Sequence, residues 1–230
     1  MKTLPTLAVQ HNDSLRRSIQ QRLSAASVQV RDATDLRRAA VALVLVDAGF
    51  GAGLPGFAQH ERWSDDAAFL LTRRATTLAR HAGQWALPGG RIDAGETAAA
   101  AALRELHEEL GLQLPVSSVL GRLDDYTTRS GYVITPFVVW AEAGTGAALA
   151  LDPAEVASAH RIPLTELLRQ DAPLLDPPHE GHHQPVLRMP LGEHWVAAPT
   201  AAVLYQFSEW CLQGRATRVA HFDQPRFTWR

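Results

Sequence analysis

Apolar residues recur every fourth position at Leu15, Ile19 and Leu23, so the spacing predicts a helix over residues 14–26 with Asp13 as its N-cap. Residues 38–46 form an aliphatic, β-branched run that predicts a buried strand, and residues 67–72 predict the next. Between them, the glycine-containing stretch 48–63 reads as a loop; residues 73–88 read as a long irregular loop. An alanine-rich stretch then places Ala99, Leu103, Leu106 and Leu110 on one helical face and Glu105, Glu108 and Glu109 on another, with Gly111 as the stop. Strands are expected at 118–126 and 132–141, a turn at 144–151, a short helix at 163–168 and a C-terminal helix at 199–212. Residues 171–185, with four prolines and three histidines, read as an exposed connection. Strands alternating with helices suit an α/β sandwich.

The composition is that of an ordinary globular chain. Its 230 residues allow one well-buried core, and 46% apolar with 20% charged residues excludes disorder. A net charge of −2 gives no bulk basicity for nucleic acid or an acidic membrane. The lone Cys211 excludes an internal disulfide and a cysteine-based zinc site. The first ten residues lack a signal-peptide pattern, and the apolar run 39–47 is too short to span a bilayer. The expectation is a soluble, cytoplasmic protein.

Spacing of i, i+3 and i+4 puts three glutamates on one helix face, where they repel unless a cation sits among them. Such hard oxygen ligands suit Mg²⁺ or Mn²⁺ engaged with substrate phosphates; a solvated acidic face is the alternative. The whole string decides between them. Gly90, five residues, Glu96, seven residues, then Arg104-Glu105-Leu106-His107-Glu108-Glu109-Leu110-Gly111-Leu112 resembles the signature of the Nudix hydrolases at every fixed position. The resemblance implies a Nudix-type α/β/α sandwich with a mixed β-sheet and a loop–helix–loop catalytic motif. Residues 1–36 would be a helical extension packed on one domain spanning 37–230.

Residues 70–90, from Leu70-Leu71-Thr72 through Arg74-Ala75 and His81-Ala82-Gly83-Gln84 to Pro88-Gly89-Gly90, closely resemble the additional motif of the coenzyme A pyrophosphatase branch. Ser130-Gly131-Tyr132-Val133-Ile134-Thr135-Pro136 and Arg38-Ala39-Ala40-Val41 are similar to that branch too. Two positions depart from it: Ala79 stands in place of arginine and Leu87 in place of phenylalanine.

By this resemblance Glu105 and Glu109 are direct ligands of Mg²⁺ or Mn²⁺. Glu108 is a direct or water-mediated one, and a backbone carbonyl at Gly89 or Gly90 joins them. Arg104, four residues before Glu108, orients the carboxylates, and Glu96 supports the helix entrance or pairs with Arg104. Nudix enzymes often draw a catalytic base from outside the signature, and Glu155 resembles a branch position near the site; a plain surface-loop role stays open beside it. Arg73, Arg74, Arg80 and His81 concentrate charge for the phosphates of a nucleotide, with simple solvation as the alternative. Gly83 and Gln84 complete the implied substrate loop.

The implied reaction is hydrolysis of coenzyme A or an acyl derivative to 3′,5′-ADP and 4′-phosphopantetheine or its acylated form. A diphosphatase for ADP-ribose, NADH or a nucleoside triphosphate, and a non-catalytic binding module, stand as alternatives. The partner is a small nucleotide, with neither nucleic acid nor membrane, and a homodimer is left open. His179-Glu180-Gly181-His182-His183 has zinc or nickel ligand types without a partner motif. Trp195 weakly resembles a branch position, with a core or interface role as the alternative.

Overall fold

The computed structural model describes residues 9–32, 34–79, 81–145, 147–178 and 184–228. Helix α1 (Asp13–Ala25) is capped by Asn12, not Asp13: the Asn12 side chain accepts the Leu15 amide at 3.0 Å. Both residue types cap helices well, and Asp13 instead lends its charge to the first turn. The helix buries Ile19 and Leu23.

Two long antiparallel strands follow, β1 (Arg37–Gly51) and β2 (Gln59–Arg74). The loop expected over residues 48–63 is therefore largely strand. Gly49 and Gly51 take positive φ at register shifts, so they bulge a continuing hairpin instead of ending it. At Gly51 a β-carbon would lie 2.4 Å from the Ala58 carbonyl oxygen.

Then come β3 (Trp85–Ala86) and β4 (Gly89–Arg91), helix α2 (Ala98–Leu110), and strands β5 (Val119–Arg122), β6 (Tyr126–Thr127), β7 (Tyr132–Trp140) and β8 (Val156–Pro163). The strand expected over 118–126 is broken by buried Asp124 and Asp125, whose carboxylates accept the Gln29 and Arg31 amides at 2.6 and 2.9 Å. β8 has no period to announce it, since only Val156 and Ile162 are buried. A small separate sheet holds β9 (Leu174–Asp176), β10 (Val186–Leu191) and β11 (His194–Ala197). β9 lies inside the expected connection, and residues 179–183 fall outside those described. Helix α3 (Thr200–Phe207) continues as a π-helical turn, Ser208–Gln213. Cys211, on that turn, is buried, and burial pushes its thiol up to about 12.

The main sheet is mixed: β1 runs antiparallel to β2 but parallel to β7, from Arg37↔Tyr132 to Leu45↔Trp140. Successive β1 side chains serve opposite cores. Leu43 and Leu45 pack with Ile19 of α1 and with Ala201, Leu204 and Phe207 of α3. Ala40, Ala42, Val44 and Val46 pack with Ala101, Leu106 and Leu110 of α2. Helices on both faces make this an α/β/α sandwich, and they explain why β1 reads as an unbroken apolar run rather than an alternating one.

Candidate active site

The two long strands part at one end. β1 and β2 pair from Leu45↔Phe69 outward to Gly51↔Gln59. Toward the other end β4 pairs with β1 over Ala39–Val41, while β3 pairs with Thr72 and Arg73 of β2. The segment between β3 and β4 fills this split, with the Ala42 amide donating to the Pro88 carbonyl at 2.8 Å. A cleft of about 1460 Å³ opens here, reaching from Gly89, Gly90 and Glu105 to Trp195 and Phe227.

α2 brings its carboxylates to this end. Its N-terminus is capped by Thr97, whose hydroxyl accepts the Ala100 amide at 3.2 Å, and Gly111 forms the C-cap. Burial of Leu103, Leu106 and Leu110 against the sheet fixes the helix rotation. That rotation lays the Glu105 carboxylate directly over Gly90. A β-carbon on Gly90 would fall 2.3 Å from Glu105 Oε1, so only glycine leaves the carboxylate in this place.

Arg104 is the hub of the acidic face. Its Nε and Nη2 each donate to Glu96 at 3.1 Å, and Nη1 donates to Glu105 and Glu108 at 2.9 Å. Nη2 also reaches the Arg91 carbonyl at 3.0 Å. The bond to Glu96 is the chief cause holding the Arg104 guanidinium above its ordinary value, and Arg104 in turn holds Glu96 below the usual carboxylate range.

Glu105 and Glu109 show the opposite behaviour. Burial, opposed by the bonds from Arg104, pushes Glu105 above the usual range. Glu109 is only 3% exposed, and its Oε2 has no hydrogen-bond partner. Burial pushes it up to about 8; the Arg74 charge and the Gly89 backbone amide oppose this, and Glu105 and Glu155 add to it. Glu108, by contrast, has a 56% exposed side chain and faces solvent beside Arg104.

The structure thus brings Arg74, Glu105, Glu109 and Glu155 into one electrostatic group. Arg74 ends β2, and its Nε is buried without a partner. Glu155 is exposed on the cleft wall, with its carbonyl accepting the Ala75 amide at 2.8 Å. His81, at φ 56°, lies on the same wall. Gly83 donates to the Arg74 carbonyl at 3.1 Å and accepts from Arg73 Nε at 3.1 Å, so it closes the loop. The Gln84 amide is tied to the Phe227 carbonyl at 3.3 Å. Arg80 and residues 179–183 lie outside the described residues. Among the described residues no three acids or histidines are gathered into a closed metal cage.

Reading the sequence misses a second set of cleft residues. Arg37, Arg91 and Tyr132 line one wall, and Phe227 meets Trp195 edge-on at 6.0 Å on another. Trp195 is 41% exposed under the Arg188 guanidinium, 4.8 Å from its ring centroid, so a core role does not describe it. The resemblance around Ser130–Pro136 carried a signal for Tyr132; nothing local marks Arg37, Arg91 or Phe227.

The family model described as the NUDIX domain matches residues 61–188, more than half of the chain. The chain belongs to the Nudix family. The Nudix hydrolase NudL of Photorhabdus laumondii is 36% identical over 142 residues, 61% of this chain and 75% of its own. NudL of Yersinia pestis (strain Pestoides F) is 40% identical over 104 residues, 45% of this chain, which spans about half (51%) of that relative's length. Among solved structures, a MutT protein from Methanosarcina mazei Go1 is similar with a TM-score of 0.41 and 20% identity, covering 63% of this chain and 84% of its own. A MutT/nudix family protein from Enterococcus faecalis gives 0.43 and 14%, covering 80% and 62%.

Proposed function

We propose that this Nudix protein is a divalent-metal-dependent diphosphatase whose substrate is coenzyme A or an acyl derivative, cleaved to 3′,5′-ADP and (acyl-)4′-phosphopantetheine. The observation that carries the reading is Glu109: a buried carboxylate with an unpartnered oxygen, next to Glu105 on its glycine cradle. Burying a carboxylate as an anion is costly unless a cation compensates it. Arg74 compensates only in part, since Glu109 still stands near 8. Hard oxygen donors of this kind fit Mg²⁺ or Mn²⁺. Mg²⁺ commonly takes one or two carboxylates and completes its shell with waters and substrate phosphates, so a closed three-acid cage is not required.

Glu105 and Glu109 would hold the ion, with the Gly90 backbone oxygen and Glu108 as further donors. A bound divalent ion supplies charge neutralisation for the diphosphate and a water of lowered pKa. The chain's own groups do the rest. Arg104 fixes Glu105 and Glu108 through one planar fork, which a lysine cannot reproduce. Arg74 offers a guanidinium to the diphosphate beside Glu109. Glu155, exposed on the cleft wall, is the proposed acceptor of the water's proton.

Coenzyme A is favoured over other diphosphates by the motif at residues 70–90. The size of the cleft supports this, exceeding the roughly 300–1,000 Å³ of an ordinary small-ligand pocket. The departure at Ala79, which lies on the cleft wall, favours a second reading: an ADP-ribose, NADH or nucleoside triphosphate diphosphatase. A substrate panel with Mg²⁺ and Mn²⁺, run in ¹⁸O-labelled water, separates the two. The expected result is fastest cleavage of coenzyme A, with label in 4′-phosphopantetheine and none in 3′,5′-ADP. Rapid cleavage of ADP-ribose or NADH with coenzyme A untouched would establish the second reading instead.

A further inference from the structure

We propose that Arg37, Tyr132 and Arg91 form a second anion site, built to take a phosphate monoester outside the scissile diphosphate. Resting on the coenzyme A reading above, this group is the 3′-phosphate of the adenosine ribose.

Three strands converge to make the site. Arg37 on β1 stands opposite Tyr132 on β7, and Arg91 on β4 stands opposite Ala39, two residues further along β1. Directly paired residues share a sheet face, and so do residues two apart on a strand. Arg37, Tyr132 and Arg91 therefore project from one face, the wall of the cleft. The Arg37 guanidinium lies 4.1 Å from the Tyr132 ring centroid, and Arg91 Nε donates to the Tyr132 hydroxyl at 3.0 Å. One tyrosine thus holds two cations apart and orients both.

These cations have no carboxylate partner among the described residues. The Arg37 guanidinium donates to the Ser130 carbonyl, at 2.8 Å, and that of Arg91 to the tyrosine hydroxyl. Their neighbour Arg129 differs, since it is committed to Asp223 through two bonds of 3.0 and 2.8 Å. Two guanidiniums facing a cleft, pre-oriented yet unneutralised, suit a dianionic phosphate that they can grip through paired N–H donors.

Position separates this site from the reacting centre. Gly90, beneath the Glu105 carboxylate, pairs with Ala40. Ala40 and Arg37 are three residue steps apart on β1, roughly 10 Å of strand. A diphosphate held at Glu105 and Glu109 does not extend that far, so the second site needs another phosphate. Arg74 stands beside Glu109, at the reacting centre, and is poorly placed to read it.

Calorimetric titration in Mg²⁺ with 3′,5′-ADP and with 5′-AMP tests the site through binding alone. Wild-type protein is expected to prefer 3′,5′-ADP by roughly tenfold to a hundredfold, the worth of one good charged contact. Arg37→Ala and Arg91→Ala each shrink that preference, and the double variant brings it close to one. Tyr132→Phe, which loses the hydroxyl that positions Arg91, moves it in the same direction. A wild type with no preference overturns the proposal, as does a preference kept by the double variant or removed by Arg74→Ala instead. The outcome is independent of turnover. If coenzyme A is not cleaved but the arginine-dependent preference is present, the anion site stands and the substrate assignment falls.

Discussion

Glu109→Gln is expected to lower kcat by at least about a hundredfold to a thousandfold, the scale of losing several kcal/mol of charge stabilisation at the reacting phosphate. Glutamine keeps the shape of the side chain and removes its charge. The fold should tolerate this well, because the carboxylate is buried at 3% exposure and its own protonated form is already favoured. Glu105→Gln should behave alike: Glu105 is only half-buried, yet its carboxylate lies over Gly90 and burial shifts it in the same direction. Turnover at saturating Mg²⁺, measured beside a thermal melt of each variant, checks both statements. Near-normal turnover in both variants would remove the signature helix from the chemistry.

The second large effect is on stability against pH in metal-free protein. Glu109 stands at about 8 in the native state, against about 4.3 for a free glutamate. Between those values the native state holds a proton that the unfolded chain releases, so stability falls as pH rises through the window. Each unit of the difference corresponds to about 1.36 kcal/mol, so the loss should reach a few kcal/mol. Glu105, pushed the same way by burial, adds to the trend. His11, lowered chiefly by burial, opposes it at the acidic end, because its native form resists protonation. Urea midpoints at pH 5 and pH 8 with a chelator present should therefore drop on the alkaline side. Glu109→Gln should flatten most of that drop, and the difference between the two proteins isolates the Glu109 part. A variant with the wild-type slope would contradict the assignment.

The parts of the molecule legible in the sequence are those whose geometry is set within one helix. Spacing alone places Glu105, Glu108 and Glu109 on one face and Leu103, Leu106 and Leu110 on another, and Gly111 ends the helix as its chemistry requires. The Arg104–Glu108 pair is local in the same sense. The three glutamates nevertheless differ in environment, because burial depends on what the sheet places against them: Glu109 is buried while Glu108 faces water.

What the sequence hides depends on long-range pairing. Arg37 meets Tyr132 only because β1 and β7 run parallel in one register, and Arg91 joins them only because β4 fills the split between β1 and β2. Trp195 and Phe227 reach the cleft from a third of the chain in which the family resemblance fades. The hairpin over residues 48–63 escaped because Gly49 and Gly51 look like turn residues but sit at bulges. Asn12 and Asp13 are adjacent residues with equal capping chemistry, so spacing could not choose between them.

Mn²⁺ binding followed by electron paramagnetic resonance tests the central claim most directly, because it reads the metal seat without requiring a substrate. Wild-type protein should bind Mn²⁺, and Glu109→Gln and Glu105→Gln should each weaken binding by at least roughly tenfold. Equal Mn²⁺ affinity in wild type and both variants would show that the Glu105 and Glu109 carboxylates are not where the ion sits.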